Sequence, residues 1–234
     1  MAKFGVSVIT SVDNPRVKEV LRLRKGRARR AAGLTIAATY FAPALIDWDE
    51  GEEVDERVLR KMSYRAEPEG VIAVVEIPQR AIPDDSTLLL VAVGIEKPGN
   101  LGAMARTADA AGADALLVAD AECDPWNPNA IRASTGSVFS LPIVEATAAD
   151  VSALPHTRVA ATIDGDTTFT EPDYTTATAF IVGAEDGGLD DTWRSLADAR
   201  VVIPMKQDAA ADSLNASTAA ALLLYEAVRQ RAAT

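Results

Sequence analysis

One arginine in the sequence lies where it could bind an anion. The stretch GIEKPGNLGAMARTADAAGA follows an apolar run of strand length, and its apolar spacing predicts a helix that Asn100 can cap. Arg106 comes four residues after Gly102 on the same helix face, so its side chain slopes over a position that has no side chain. A helix start also favours negative charge, which gives this guanidinium an open approach for an anion. A solvated surface arginine is the alternative.

A second loop combines a carboxylate with glycines at the end of a predicted strand. In FIVGAEDGGLDD the strand ends at Gly183 and is followed by Glu185 and the pair Gly187 and Gly188. Glycines permit positive φ and let a ligand lie close to the backbone, although a tight turn with a surface glutamate has the same pattern. The loop lacks the G-x-G-x-x-G and P-loop patterns, which weakens a nicotinamide-dependent oxidoreductase as an alternative.

A third loop, SLNAS at residues 213–217, lies between the strand-like RVVIP and an amphipathic helical segment. Serine and asparagine are preferred at helix N-termini, so capping alone could explain their presence. A role in a site is the other interpretation. The carboxyl ends of parallel strands share one edge of a sheet, so the loops that follow residues 93, 182 and 203 are expected to converge there.

The elements that must position these loops alternate regularly from residue 87 onward. Continuous apolar strands separated by helices predict an α/β fold with a parallel sheet covered on both faces. Before residue 87 the sequence predicts a short helix near residues 55–62 and then a strand in GVIAVVEIP. The linker-like segment PQRAIPDDST follows that strand. We therefore expect a small α+β domain at residues 1–80 and a second domain at residues 85–234.

The charge of the chain is unevenly distributed. The 234 residues carry a net charge of −11, yet residues 1–33 hold nine Lys or Arg against two acidic residues. The segment NPRVKEVLRLRKGRARRAAG predicts a basic helix over residues 15–30, whose one-sided charge favours contact with nucleic-acid phosphates over a solvated face. The candidate RNA-binding residues are Arg16, Lys18, Arg22, Arg24, Lys25, Arg27, Arg29 and Arg30.

Cysteine and histidine are too scarce for several kinds of chemistry. Cys123 and His156 are single, which argues against a disulfide, a metal site and a Ser-His-Asp mechanism, and His156 is expected in a surface turn before a strand. The sequence has no apolar run long enough to span a membrane and no signal-peptide pattern at its start. We expect a cytoplasmic protein without a metal.

Three motifs in order resemble one enzyme family. NLGAMAR, VGAEDGGL and the pair IPM and SLNAS are similar to the three motifs of the SpoU (TrmH) family of RNA ribose 2′-O-methyltransferases, within the SPOUT superfamily. NAIRASTGSVFSLPI resembles the family's segment between its first two motifs, and the likeness covers about residues 87–232. The N-terminal region is similar to the family's small RNA-recognition domain, but after LTIA it looks about one helix short.

The resemblance implies a C-terminal trefoil knot that binds S-adenosylmethionine, largely through backbone groups. The cofactor-binding residues it implies are Gly183, Ala184, Gly187, Ile203, Met205 and Leu214. The catalytic residues it implies are Arg106, Asn100, Glu185, Ser213 and Asn215. Because arginine stays protonated, we expect Arg106 to hold a phosphate and stabilise a developing alkoxide, while the other four orient it and the ribose.

The resemblance also implies a homodimer in which the arginine can reach the other subunit's cofactor. The resemblance further implies an RNA substrate, with ribosomal RNA favoured over transfer RNA. A non-catalytic RNA-binding protein that retains the fold and a base methyltransferase are the alternatives left open. The sequence does not identify the nucleotide.

Overall fold

The N-terminal part of the chain forms a small mixed sheet. The computed structural model describes residues 7–11, 23–24, 27–28, 34–48, 50–63, 67–206 and 213–233. A four-stranded sheet runs in the order β1 (Ser7–Ser11), β6 (Val71–Glu76), β4 (Ile36–Phe41) and β5 (Glu52–Glu53). Helix α1 (Glu56–Met62) begins at Asp55, whose carboxylate accepts a bond from the Arg57 backbone N–H. The predicted short helix and the strand in GVIAVVEIP are thus both present.

The basic helix predicted over residues 15–30 is wrong where the structure describes it. Strands β2 (Leu23–Arg24) and β3 (Arg27–Ala28) pair antiparallel there, and the rest of that segment lies outside the described residues. Arg24 and Arg27 are therefore strand residues. Gly26 is a poor helix former, and like charges three or four residues apart repel one another on a helix.

The second region is a seven-stranded sheet in which every pairing is parallel, as predicted. Its order is β11 (Thr167–Thr168), β13 (Ala199–Val202), β10 (Thr157–Ala161), β12 (Thr178–Val182), β7 (Leu88–Val93), β8 (Ala115–Ala119) and β9 (Ile143–Glu145). Strands β7, β8 and β12 are buried along their whole length, which is why they read as uninterrupted apolar runs.

Helices cover both faces of this sheet. They are α2 (Pro98–Ala111), α3 (Pro128–Ser134), α4 (Ala148–Ser152), α5 (Asp191–Leu196) and α6 (Ala216–Arg231), with a 3₁₀ turn at Ser137–Phe139. Side chains of α2, α3 and α6 pack on one face, and those of α4 and α5 on the other. The predicted cap of α2 is wrong: the helix begins at Pro98 with Lys97 as its N-cap, so Asn100 lies within the first turn.

Gly102 has a different role from the one the sequence suggested. A Cβ atom at this position would lie 2.2 Å from the Ala130 carbonyl oxygen and 2.8 Å from the Cβ of Ala133. The missing side chain therefore lets α3 pack closely against α2, rather than clearing a path for Arg106.

The two sheets share one apolar core. Leu34, Val71 and Val75 from the N-terminal region are buried in the same cluster as Leu88 and Leu90 of β7. In addition, the Arg80 guanidinium binds the Ser140 carbonyl oxygen and, at 2.9 Å, that of Phe139. The N-terminal sheet is thus packed directly on the parallel-sheet region.

His156 is buried, which corrects the surface turn predicted from its sequence. Its side chain is 4% exposed, its Nε2 lies 3.4 Å from the Ser86 hydroxyl, and its Nδ1 has no partner among the described residues. Burial is the main cause that lowers the pKa of His156 from its usual 6.5, and the Arg231 charge lowers it further, while Ser86 and Asp114 oppose the shift.

The stability of the protein should therefore depend on this histidine below neutral pH. Because the folded state holds His156 neutral, the unfolded chain binds more protons as the pH falls below 6.5, so the free energy of unfolding decreases. We expect urea melts between pH 7.5 and 5.5 to show a smaller decrease for His156→Asn than for the unchanged protein. Equal decreases would contradict this account.

Candidate active site

The loops that follow three neighbouring strands meet at one cavity. Strands β13, β10 and β12 are adjacent in the sheet, and their carboxyl ends lie at the same edge. The cavity has a volume of about 350 Å³, within the range of small-molecule sites. It is lined by residues 161–163 after β10, the loop 183–189 after β12, residues 202, 203 and 205 near β13, and residues 213, 214, 216 and 219 at the start of α6.

All six residues expected to bind a cofactor line this cavity. They are Gly183, Ala184, Gly187, Ile203, Met205 and Leu214. Glu185 and Ser213, expected to be catalytic, line it as well. Residues far apart in the sequence thus come together as the parallel-sheet argument predicted.

The loop after β12 has a tight backbone arrangement. Ala184 and Gly188 form an isolated antiparallel bridge, and Gly188 has a φ of +63°. A Cβ atom on Gly183 would lie 2.4 Å from the Gly188 carbonyl oxygen, whereas one on Gly187 would meet nothing within 4 Å. Gly183 is therefore required for the loop to fold back on itself at the cavity wall.

Glu185 is the centre of a polar cluster beside the cavity. Its Oε2 accepts a bond of 2.5 Å from Lys97 Nζ, and its Oε1 accepts one of 2.8 Å from Asn100 Nδ2 and another from Asn215 Nδ2. Asn215 Nδ2 also lies 3.1 Å from Asn100 Oδ1. The first, second and third motifs are thereby joined by side-chain hydrogen bonds.

This cluster keeps Glu185 ionised. The hydrogen bond from Lys97 is the largest cause that lowers the pKa of Glu185, and Asn100 adds to it; the same bond raises the pKa of Lys97. Both oxygens of the carboxylate are already occupied as acceptors. Glu185 is therefore suited to orient its partners and poorly suited to remove a proton from a substrate.

Asn215 fulfils both interpretations of SLNAS. Its Oδ1 caps α6 by accepting bonds from the backbone N–H groups of Ser217, at 2.9 Å, and Thr218, at 3.3 Å. Its Nδ2 meanwhile donates to Glu185 and Asn100. An amide has a donor and an acceptor, so the same side chain can begin the helix and complete the polar cluster.

Arg106 lies apart from this cluster within a single chain. It is exposed on α2 and lines a different cavity, together with Asn129 and Arg132. Asn100, Glu185 and Asn215 meet as expected, whereas Arg106 does not join them in one subunit. Its position on the outer surface of α2 leaves it accessible to a second molecule.

The sequence did not indicate several residues that contribute to the site. Lys97 is one, and Thr162, Ile163 and Arg194 line the cofactor-sized cavity. The hydrogen bond from Arg194 is the main cause that lowers the pKa of the Asp164 carboxylate, and a hydrogen bond from the buried Thr162 side chain adds to it. The sequence signal for Thr162 and Ile163 is their position directly after β10. The central position of β10 in the sheet cannot be recognised without knowing the strand order.

The described residues contain neither a candidate membrane-spanning helix nor a cluster of possible metal ligands. None of their helices has both the length and the apolar character required to cross a lipid bilayer. In the same part of the chain, no three His, Cys, Asp or Glu side chains gather in a way that could hold a metal ion.

Comparison with known proteins gives consistent matches. Residues 87–225 match the model of the SpoU rRNA Methylase family. The chain is 39% identical over 178 residues to 23S rRNA (uridine(2479)-2′-O)-methyltransferase of Streptomyces viridochromogenes, covering 70% of this chain and 61% of that protein. It is 31% identical over 230 residues to 23S rRNA (guanosine-2′-O-)-methyltransferase RlmB of Escherichia coli strain K12, covering 92% of this chain and 91% of RlmB.

A solved structure extends the similarity to nearly the whole chain. The SpoU methyltransferase AviRb from Streptomyces viridochromogenes, in complex with AdoMet, superposes with a TM-score of 0.81. The two share 30% sequence identity, and the match covers 97% of this chain and 91% of AviRb.

Proposed function

This chain belongs to the SpoU rRNA methylase family, and on that premise we propose that it transfers a methyl group from S-adenosylmethionine to a ribose 2′-hydroxyl of ribosomal RNA. The resemblance inferred from three sequence motifs is thereby confirmed at the level of the family. The observation that carries the proposal is the cavity in which all six expected cofactor residues meet beside the Glu185 cluster.

The residues of the cavity fit S-adenosylmethionine. Its volume of about 350 Å³ admits a ligand of this size. Backbone groups of Gly183, Ile203 and Leu214 would hold the cofactor, in a pocket whose close packing depends on glycine. When bound, S-adenosylmethionine supplies an electrophilic methyl group.

The chain's own side chains would orient the ribose and stabilise charge. Asn100, Glu185 and Asn215 form a preorganised polar wall, and Ser213 lies at the cavity beside it. Arg106 would hold the RNA phosphate and stabilise the alkoxide that develops on the 2′-oxygen. Because arginine remains protonated, we assign proton acceptance to a phosphate or water rather than to Arg106.

A homodimer explains how Arg106 could reach a cofactor cavity. Helix α6 exposes Leu222 and Tyr225, with relative exposures of 38% and 50%, and these apolar side chains suit contact with a second copy. The Arg106 of one subunit would then serve the cavity of its partner. The ribosomal RNA substrate implies work in the cytoplasm, and the basic N-terminal segment would add phosphate contacts.

A methyl-transfer assay tests the proposal. The protein is incubated with an unmodified bacterial 23S rRNA transcript and labelled S-adenosylmethionine, and the RNA is digested to nucleosides. We expect label in a 2′-O-methylated nucleoside. Label on a base would favour the base-methyltransferase alternative. An absence of transfer together with no calorimetric binding of S-adenosylhomocysteine would favour a non-catalytic RNA-binding protein.

A further inference from the structure

A second cavity lies on the outer side of α2, away from the cofactor-sized one. It has a volume of about 530 Å³ and opens widely to solvent. Its wall includes Gly99 and Arg106 from α2, Asn129 and Arg132 from α3, and Thr135 just after α3. The close packing of α2 on α3 at Gly102 brings the two arginines to the same opening.

The two arginines in this cavity differ from all other arginines whose side chains the structure describes. The others bind carboxylates or backbone carbonyl oxygens; they are Arg57, Arg60, Arg80, Arg158, Arg194, Arg200, Arg229 and Arg231. Arg106 and Arg132 make no ion pair or side-chain hydrogen bond with any described residue. In a chain with 34 acidic residues, two unneutralised guanidiniums at one cavity indicate a site for an anion from outside.

Thr135 supplies an independent observation at the same place. Its hydroxyl oxygen is buried and has no hydrogen-bond partner among the described residues. The residue also has a φ of +52°, in the left-handed region that a β-branched side chain rarely adopts. A glycine or asparagine would end α3 at lower backbone cost.

We propose that this cavity binds an RNA backbone phosphate next to the nucleotide that is methylated, with Arg132 and Thr135 as its principal contacts. A guanidinium forms paired hydrogen bonds with phosphate oxygens, and a hydroxyl can donate a third. Gly99 leaves open space at the start of α2, where a helix favours an anion. The proposal rests on the function proposed above, because Arg132 would fix the strand while Arg106 faces the reacting ribose.

The test measures RNA binding separately from methyl transfer. Fluorescence anisotropy with the 23S rRNA transcript is recorded between 50 and 200 mM KCl. Over this range of about fourfold in salt concentration, the affinity of a protein that contacts RNA phosphates decreases strongly. For Arg132→Gln we expect about tenfold weaker binding and a salt slope reduced by about one contact. For Thr135→Val, which keeps the β-branched shape without the hydroxyl, we expect about threefold weaker binding.

A matched control and a second ligand keep the result specific. Arg200→Gln removes the same charge from an exposed ion pair with Asp166 that lines neither cavity, and it should bind RNA normally. Calorimetry with S-adenosylhomocysteine should give the same affinity for all the variants. In turnover, Arg132→Gln should raise the KM for RNA far more than it lowers kcat, as expected for a positioning residue.

The outcomes separate this site from the proposed function. If Arg132→Gln binds RNA with unchanged affinity and salt slope, or if Arg200→Gln is equally impaired, the phosphate site is wrong even though methylation proceeds. If Arg132→Gln weakens RNA binding as expected but the unchanged protein methylates no ribose, the phosphate site stands and the proposed reaction fails.

Discussion

Replacing Arg106 by alanine is expected to lower methyl transfer by about a thousandfold or more while leaving cofactor affinity nearly unchanged. Arg106 is exposed on α2 and does not line the cavity that fits S-adenosylmethionine, so its loss should not disturb that cavity. The substitution would remove the positive charge that stabilises the alkoxide developing on the ribose 2′-oxygen. Turnover with labelled S-adenosylmethionine and calorimetry with S-adenosylhomocysteine provide the two measurements. Normal turnover by Arg106→Ala would refute the assignment.

The separation of Arg106 from Glu185 within one chain allows a sharper version of this experiment. Arg106→Ala is co-expressed with a pocket variant, Gly183→Ala, and the mixed dimer is purified through two different tags. If Arg106 serves the partner's cavity, one of the two sites is intact and about half of the activity returns. If Arg106 acts within its own subunit, both sites remain defective. Failure to isolate any mixed dimer would contradict the proposed homodimer.

Gly183→Ala is expected to abolish most cofactor binding by itself. The new Cβ would be forced to within 2.4 Å of the Gly188 carbonyl oxygen, so the loop between these glycines must move. This loop forms one wall of the cavity, and overpacking of this kind should weaken binding of S-adenosylhomocysteine by about 10- to 100-fold. Calorimetry measures the affinity directly.

Gly99→Ala is the matched control for this prediction. It makes the same chemical change near the start of α2, where a Cβ meets nothing within 4 Å and where the residue does not line the cofactor-sized cavity. Both substitutions restrict the unfolded chain equally, so that contribution cancels in the comparison. We expect Gly99→Ala to bind S-adenosylhomocysteine within about twofold of the unchanged protein. Comparable losses in the two variants would show that the clash at Gly183 is not the cause.

The parallel sheet and the cofactor-sized cavity were predictable because both follow from local patterns. Continuous apolar runs such as the one at β7 identify strands buried on both faces, and the rule for parallel strands places the loops after them at one edge. Gly183, Glu185 and Leu214 follow strand ends or precede a helix, so their convergence needed no knowledge of strand order. The match to the family rested on these same residues.

Other features depended on tertiary contacts that one sequence does not reveal. The position of Asn100 inside α2 follows from Pro98, which begins the helix three residues earlier than the capping argument assumed. Gly102 is explained only by the approach of α3, and His156 only by what packs over it. Thr162 was missed because the sequence after β10 has no distinctive loop pattern, although strand β10 lies between β12 and β13 in the sheet.

The shared core beneath the two sheets has a consequence for the choice of target. Because Leu34 and Val75 pack with β7 and Arg80 is bonded to the 3₁₀ turn, strand β1, which pairs with β6, is fixed against the parallel-sheet region. An RNA that contacts both sheets would therefore have to hold its two contact sites at one set separation, whatever bases lie between them.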